Sequence, residues 1–270
     1  MTSKFMQYLR RLTLSFYSSI FILVSKPKRE KIPGLMRLGS RYGGWYIDSL
    51  DNLNKCYLIS GGLGEDASFD IEFVNNFGTF AILIDPTPRA ITHFNDILES
   101  AGSPKKSPYN NTGKQLIDSY DLEGINKSNL FLKGVALYTH SGSMLFYKPE
   151  IESHVSHSLK RKKSQGNSIE VSALTLGDIL LDFREKINSL DMILKLDIEG
   201  SETEVLLNVI NSGHRPKQLL IEWDFMREAK FVDILRFLYL SLRLKRMGYF
   251  FASRENLNTL ILQTPRRAIG

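Results

Sequence analysis

Residues 193–200, which read ILKLDIEG, constrain the fold of this 270-residue chain more than any other segment. The apolar residues predict a buried strand, Asp197 and Glu199 follow at its end, and Gly200 releases the chain into a helix. Open α/β sheets bind their ligands at this end of their strands, so the two acids predict a catalytic or ligand-binding edge. Ser201-x-x-Glu204 predicts a capping box at the start of the next helix, and Glu202 is expected to be a solvated turn acid.

Apolar runs and amphipathic segments alternate along most of the chain. The runs predict strands at 55–60, 80–84, 130–138, 193–196, 218–221, 249–252 and 259–263. Helices are expected between them, the longest at 231–248 and another at 175–187, and long loops at 100–128 and 139–169. This order predicts a single α/β domain with a doubly wound, mostly parallel sheet. The last two strands have no helix between them and are expected to form an antiparallel hairpin.

The charge distribution argues against nucleic acid as a partner. The chain has 35 basic and 29 acidic residues, a formal net charge of +6. Seven of the basic residues and one acid lie in residues 1–31, which leaves 28 residues of each sign in the remainder. The body of the protein is therefore formally neutral and lacks the basic excess that binding to a phosphate backbone requires.

The N-terminal segment, residues 1–31, has an apolar stretch between basic flanks. Residues 12–24 read LTLSFYSSIFILV. As a helix they would span about 20 Å against a hydrocarbon core of roughly 30 Å, so a membrane-spanning helix is not expected. Two alternatives stay open: a helix that lies in an anionic membrane surface through residues 5–31, and a helix docked on the domain or on a partner subunit. The protein is expected in the cytoplasm, and the first alternative would place it at the inner face of a membrane.

A glycine turn, GGLGEDA at 61–67, follows the first strand of the body. It satisfies the loose dinucleotide pattern G-x-G-x-x-G/A, and Asp85, 21 residues beyond Gly64, is placed to accept hydrogen bonds from a ribose. Both NAD and S-adenosylmethionine need these features. Glu65 and Asp66 separate the two ligands, because carboxylates at a helix N-terminus repel a pyrophosphate, whereas S-adenosylmethionine is cationic and has no phosphate. A simple N-cap role for Asp66 is compatible with either ligand.

Four stretches resemble the FkbM-type family of S-adenosylmethionine-dependent methyltransferases. They are SGGLGEDASFD (60–70), ILIDPTP (82–88), HVSHS (154–158) and ILKLDIEGSETEVL (193–206). Their order and spacing match as well, over residues 40–263. The resemblance implies a Rossmann-like class I methyltransferase fold, S-adenosylmethionine as cofactor, and methyl transfer to an oxygen, often a sugar or polyketide hydroxyl.

The resemblance also implies roles for individual residues. The methionine part of the donor would be lined by Gly61, Gly62, Gly64, Glu65 and Asp66. Asp85 would hold the ribose, and Val135 and Ala136 would flank the adenine. Asp197 and Glu199 would face the transferring methyl group. The chain departs from the family after the fifth strand, where histidines are usual and the residues here are Glu222-Trp223-Asp224-Phe225.

Methyl transfer to an alcohol needs a base as well as alignment of donor and acceptor. The candidates for the base are Asp197, Glu199, His154 and His157, with Asp197 and His157 favoured equally. A carboxylate there could instead hold an acceptor hydroxyl or a divalent metal. The sequence thus predicts an O-methyltransferase acting on a sugar in a glycolipid, polysaccharide or glycosylated metabolite.

Two other functions are alternatives to methyl transfer. An NAD-dependent oxidoreductase on the same scaffold is opposed by the acids at 65 and 66. A membrane-tethered binding module without enzymatic activity is opposed by the intact acids at 85, 197 and 199.

Overall fold

The computed structural model describes residues 2–28, 32–50, 52–147 and 168–264. Its helices are α1 (Thr2–Val24), α2 (Ser68–Phe77), α3 (Pro88–Glu99), α4 (Leu176–Leu181), α5 (Glu202–Asn211) and α6 (Phe231–Arg246). Its strands are β1 (Leu35–Leu38), β2 (Trp45–Asp48), β3 (Cys56–Gly61), β4 (Ala81–Ile84), β5 (Leu130–Lys133), β6 (Ala136–Leu137), β7 (Gly142–Tyr147), β8 (Ser168–Leu174), β9 (Asp191–Leu196), β10 (Gln218–Glu222), β11 (Tyr249–Glu255) and β12 (Asn258–Gln263).

A mostly parallel sheet of seven strands forms the centre of the fold, in the order β11-β12-β10-β9-β3-β4-β5. Strands β5, β4, β3, β9 and β10 pair in parallel, whereas β12 is antiparallel to both β10 and β11. The chain winds outward from β3 in one direction and returns to β9 on its other side. The carboxyl ends of β3 and β9 therefore meet at a topological switch point, where open α/β sheets bind ligands. We call this side of the sheet the carboxyl edge.

Each face of the central sheet is covered by a hydrophobic core. On one face α1, α4, α5 and α6 contribute a cluster that includes Phe21, Leu206 and Phe237. On the other face α2, α3 and the β1–β2 hairpin contribute a second cluster, to which Trp45 and Phe73 belong. Side chains from both faces are fully buried along β3, as its continuous apolar run predicts for a central parallel strand.

Helix α1 is docked on the domain. Tyr17 and Phe21 are buried, and the ring of Phe21 lies 5.3 Å from that of Phe237 in α6, measured between centroids. Just after the helix, the backbone N–H of Lys28 donates to the carbonyl of Phe251 in β11 at 3.0 Å. Of the helices that the structure describes, none has both the length and the apolarity to cross a bilayer.

The single strand predicted at 130–138 is wrong, because two strands occupy these residues. β5 ends at Lys133, and after Gly134 the chain enters β6, which belongs to a separate three-stranded sheet in the order β6-β8-β7. The loop predicted at 139–169 contains β7 and the start of β8. Ser168–Leu174 alternates between more and less exposed side chains, as expected for a strand with one solvated face.

The helix predicted at 175–187 is also too long. Thr175 caps α4 through a capping box with Asp178, but the helix ends at Leu181. Beyond Leu181 the backbone makes hydrogen bonds between residues three apart, such as the one from the Phe183 N–H to the carbonyl of Leu180 at 3.1 Å. The chain turns there because Phe183 packs edge-on against Phe131 of β5, at 5.2 Å between ring centroids.

Candidate functional site

The glycine turn joins the end of β3 to the end of β9. The backbone N–H of Asp197 donates to the carbonyl of Gly61 at 3.0 Å. Gly62 has φ +83°, and a Cβ at this position would lie 1.8 Å from the carbonyl oxygen of Asp197. A side chain would therefore push the two strands apart. At Gly64 (φ +59°) an added Cβ meets no other atom within 4 Å, so the space beside this residue is open.

Asp85, at the carboxyl end of β4, holds the glycine turn in place. Its Oδ2 accepts hydrogen bonds from the backbone N–H groups of Leu63 and Gly64, both at 3.0 Å. Its Oδ1 accepts from the backbone N–H of Thr87 at 2.8 Å and from the Thr87 hydroxyl at 2.7 Å. The side chain is buried and both oxygens are engaged by the protein. The predicted contact of Asp85 with a ribose stays a prediction.

Glu65 and Asp66 tie two loops to the glycine turn. Glu65 is largely buried, and one of its oxygens lies 3.1 Å from the ammonium of Lys114, in the long 100–128 connection. Asp66 Oδ2 accepts from the Ser40 hydroxyl at 2.6 Å and from the Gln115 side-chain amide at 3.0 Å. Together with Asp85, three carboxylates border the turn against two cations, Lys114 and the Lys195 ammonium that lies 2.6 Å from the Gly62 carbonyl, so its surroundings keep a net negative charge.

Four carboxylates gather where β9 and β10 end, and we call Asp197, Glu199, Glu222 and Asp224 the acidic cluster. Oxygens of Asp197, Glu199 and Asp224 all lie within 4.8 Å of one another. Glu199 adopts φ +58°, a left-handed conformation that costs an L-residue roughly 1–2 kcal/mol. Hard oxygen ligands at this spacing are the type that Mg²⁺ and Ca²⁺ prefer, so these three residues are the ones that could hold a divalent metal.

A hydrogen bond between Asp197 and Glu222 influences which carboxyl group of the acidic cluster holds a proton. Burial is the main cause that raises the pKa of Glu222, and the charges of Asp197 and Asp224 raise it further. Burial also raises the pKa of Asp197, whereas Lys195 and the hydrogen bond from Glu222 lower it. Glu222 is therefore the member of the pair that keeps its proton longer, and it donates to the Asp197 carboxylate.

Arg227 binds the outer side of the acidic cluster. Its guanidinium lies 2.6 Å from a Glu222 oxygen and 2.5 Å from an Asp224 oxygen. The residue belongs to a short 3₁₀ helix, Asp224–Glu228, that directly follows β10 and the buried Trp223. One cation shared by two acids leaves the cluster negatively charged once Asp197 is ionised.

Glu202 and Ser201 do not act as the sequence predicted. Glu202 is completely buried, and its Oε1 accepts from the backbone N–H of Gly200 at 2.8 Å and of Ile198 at 3.2 Å. Ser201 makes no side-chain cap, and Glu204 pairs instead with Arg236 of α6 at 3.0 Å. The predicted capping box is therefore wrong, because Glu202 itself folds back to hold the turn that carries Glu199. Burial raises its pKa well above the ordinary value.

Lys195 is a site residue that the sequence reasoning treated only as part of a strand. Its side chain is buried, and its ammonium donates to the carbonyl of Gly62 at 2.6 Å and to the Ser60 hydroxyl at 3.3 Å. It also lies 5.8 Å from the centroid of the Trp45 ring. Its charge lowers the pKa of both Asp70 and Asp197. The signal for it was a lysine inside an otherwise apolar buried run, which indicates a partnered cation.

Tyr42 is a second residue that the sequence reasoning missed. It lies on the loop between β1 and β2, is largely exposed, and approaches both the acidic cluster and Gly113. Partial burial raises the pKa of its phenol, and the charges of Asp197, Glu222 and Glu199 raise it further. The loop thus brings a neutral hydroxyl to the rim of the acidic cluster, while Ser40 anchors its other part to Asp66.

The remaining predicted residues fall into two groups. His154 and His157 lie outside the described residues. Val135 and Ala136 lie just beyond the end of β5, with Ala136 buried at the start of β6 and Val135 partly exposed. They therefore lie just past the carboxyl end of β5, the third strand of the central sheet in chain order. Their contact with an adenine stays a prediction.

Comparison with known proteins agrees with the resemblance seen in the sequence. A family model described as the methyltransferase FkbM domain matches residues 55–251, which run from the start of β3 to β11. Comparison with curated proteins gives no significant match. The same holds for solved structures. The matched range contains the glycine turn, Asp85, Lys195 and the whole acidic cluster, and on this basis the chain belongs to the FkbM methyltransferase family.

Proposed function

We propose that this protein is an S-adenosylmethionine-dependent O-methyltransferase on a Rossmann-like class I scaffold. The family supports methyl transfer as the chemistry. The strand order supports the scaffold, since the chain winds outward from a central strand in both directions and ends in a pair of antiparallel strands at one side of the sheet. The observation that carries the proposal is that Asp197 lies against the glycine turn, where its backbone N–H donates a hydrogen bond to the carbonyl of Gly61 at 3.0 Å.

The charge of the turn fits a phosphate-free cationic donor. Glu65, Asp66 and Asp85 border the turn, whereas two ammonium groups lie there, that of Lys114 beside Glu65 and that of Lys195 beside the Gly62 carbonyl. A pyrophosphate placed there would meet carboxylates, whereas an amino group or a sulfonium would be attracted. The open space beside Gly64 leaves room for the approach of a ligand. When bound, S-adenosylmethionine supplies the activated methyl group.

Asp197 is the residue that we propose as general base. It lies beside the glycine turn, and its ionised form accepts a hydrogen bond from Glu222, which orients the carboxylate. Burial raises its pKa, and a base with a raised pKa accepts an alcohol proton more readily. Lys195 limits that rise, because its charge favours the ionised carboxylate. Glu202 fixes the turn that follows Asp197 through the backbone N–H groups of Ile198 and Gly200.

The acceptor that we propose is a hydroxyl of a sugar, carried by a glycolipid, a polysaccharide or a glycosylated metabolite. Glu199 and Asp224 offer carboxylate oxygens beside Asp197. Such oxygens accept hydrogen bonds from neighbouring hydroxyl groups of a sugar ring, which would orient one hydroxyl toward the base. If the site holds a divalent cation, Asp197, Glu199 and Asp224 would be its ligands and would bind the acceptor through it.

Replacement of one carboxylate in β9 or just after it tests the proposal. Asp197→Asn should lower methyl transfer from labelled S-adenosylmethionine to extracted glycolipids and sugars by at least about 10²-fold, the usual contribution of a general base. Binding of S-adenosylhomocysteine should persist in this variant. Asp191→Asn is the matched control, because Asp191 begins the same strand at the opposite end and its exposed carboxylate lies 3.3 Å from the Lys217 ammonium. Near-normal turnover of Asp197→Asn would remove Asp197 from the mechanism.

A further inference from the structure

Helix α6 has two apolar faces, and only one of them is used inside the protein. Ile234, Phe237, Leu240 and Leu244 are buried in the core. A second set of large apolar side chains is exposed: Phe231 (64%), Leu235 (48%), Tyr239 (54%) and Leu242 (56%). At about 100° per residue these four lie within one arc of the helix, on the side that points away from the core. Apolar side chains that stay exposed to water do not stabilise an isolated domain. Exposed apolar patches of this kind mark interaction surfaces.

Helix α1 has the same organisation. Tyr17 and Phe21 face the core, while Leu12 (50%), Phe16 (63%) and Leu23 (74%) are exposed on the opposite side. The spacing of four and seven residues aligns these three side chains along one stripe. Both helices pack on the same face of the central sheet and touch through Phe21 and Phe237. Since both stripes point away from that sheet, they belong to one surface, the outer face of α1 and α6.

The outer face is surrounded by positive charge. α6 has four basic residues and one acid, Asp233, which lies 3.9 Å from Arg236. Lys245 and Arg246, two of these four, are exposed, and so are Arg11 in the middle of α1 and Lys26 and Lys28 just after it. Of the seven basic residues in residues 1–31, Arg11, Lys26 and Lys28 have described side chains, and all three are exposed.

We propose that the outer face of α1 and α6 binds the surface of an anionic lipid bilayer. Apolar side chains between long basic ones are suited to the headgroup region, where the apolar side chains enter the acyl boundary and the cations contact lipid phosphates. Each exposed cation near such a surface strengthens the attraction to the anionic lipids. A second copy of this chain is disfavoured as the occupant, because a two-fold interface would bring the same cations together.

The position of this face relative to the acidic cluster has a consequence for the acceptor. The 3₁₀ helix Asp224–Glu228 carries Asp224 and Arg227 of the site and also contacts α1. Phe231, the first residue of α6, follows it by three positions. A bilayer on the outer face would thus lie next to the rim of the site and present a lipid-linked sugar to it. This consequence rests on the proposed methyl transfer, whereas membrane binding itself does not.

Flotation of the full chain with vesicles tests the inference. Binding is expected to vesicles of phosphatidylcholine mixed with phosphatidylglycerol, to be much weaker with phosphatidylcholine alone, and to fall as ionic strength rises. Leu235→Gln/Leu242→Gln should reduce the partition coefficient by at least about tenfold. Leu50→Gln/Leu116→Gln is the matched control, since both leucines are also exposed (68% and 61%) but belong to neither α1 nor α6. The control should bind like the wild type.

Three outcomes would overturn the inference. They are absence of binding to the anionic vesicles, equal binding by the Leu235→Gln/Leu242→Gln variant, and self-association of the protein that this variant abolishes while vesicles remain unbound. The last outcome would identify a second copy as the occupant. Binding of S-adenosylhomocysteine, measured on the same samples, reports separately on the proposed enzymatic function and on the fold of each variant.

Discussion

The glycine turn allows a test in which two alanine substitutions, two residues apart, should have very different effects. Gly62→Ala places a Cβ 1.8 Å from the carbonyl oxygen of Asp197 and 2.8 Å from its carbonyl carbon. Both contacts are with backbone, so no side-chain rotation relieves them, and β3 must move away from the end of β9 by more than about 1 Å to restore van der Waals distance. Gly64→Ala meets no atom within 4 Å.

The two substitutions share one cost and differ in another. Each puts an L-residue at positive φ, which costs roughly 1–2 kcal/mol. Gly62→Ala should add about 1 kcal/mol for the Asp197–Gly61 hydrogen bond, and about 1–3 kcal/mol for displaced packing between the strands. We therefore expect a free energy of unfolding lower by about 3–5 kcal/mol for Gly62→Ala and by about 1 kcal/mol for Gly64→Ala. For a domain of this size the change in Tm should be about 10 °C for the first and about 3 °C for the second.

Urea unfolding followed by tryptophan fluorescence measures the difference. The chain has two tryptophans, Trp45 and Trp223, and both are buried. The difference between the variants, rather than either value alone, is the quantity to compare, since the effect of alanine on the unfolded chain is common to both. Equal destabilisation of Gly62→Ala and Gly64→Ala would show that β3 and β9 do not approach as closely as described, and the link between turn and base would be lost.

Three further predictions concern the charges of the site. Glu202 binds its proton more tightly in the folded protein, so its contribution to the free energy of unfolding is fully present below the unfolded pKa of about 4.3 and declines as pH rises toward the folded pKa. The free energy of unfolding of Glu202→Gln should therefore rise relative to that of the wild type between pH 4 and pH 8. A difference that stays constant over this range would refute the prediction. Glu204→Gln, at the surface pair with Arg236, should change stability by less than about 1 kcal/mol at any pH in that range. With Asp197 as the proposed base, kcat/KM for methyl transfer should fall as pH falls through its raised pKa. Lys195→Met should move this acid limb to higher pH, because the lysine lowers that pKa. An unmoved limb would exclude Asp197 as the titrating base.

The parts of the fold with strong periodicity were predictable from the sequence. The apolar runs of β3, β4, β9 and β10 are strands of one mostly parallel sheet, and the helix after residue 231 is α6, because long buried strands and long amphipathic helices have distinctive patterns. Asp197, directly after β9, does meet the glycine turn through its backbone N–H, since carboxyl ends of neighbouring parallel strands lie on the same side of a sheet. The break at Gly134 and the strands β6 and β7 were missed, because these strands pair with β8, whose partner residues lie 21 to 37 positions away in sequence.

The site itself shows where local rules are overridden by burial. Ser201 and Glu204 have the spacing of a capping box, yet Glu202 holds the turn, because its position directly after Gly200 lets its carboxylate reach back to two backbone N–H groups. The sequence predicts that Glu65 and Asp66 face the ligand, and this stays a prediction. The structure shows that the two acids bind neighbouring loops through Lys114, Ser40 and Gln115. Such pairings join residues far apart in the chain and leave no signal in a single sequence.

The central claim is that the glycine turn of β3 binds a phosphate-free, positively charged adenosine compound in negatively charged surroundings. Thermal unfolding of the full chain with S-adenosylhomocysteine, compared with NAD at the same concentration, tests it most directly. At a concentration 100 times its Kd, a ligand specific for the folded state adds about 2.7 kcal/mol, or roughly 5–10 °C in Tm for a domain of this size. We predict a shift of this kind with S-adenosylhomocysteine and none with NAD. Stabilisation by NAD without any by the thioether would contradict the account.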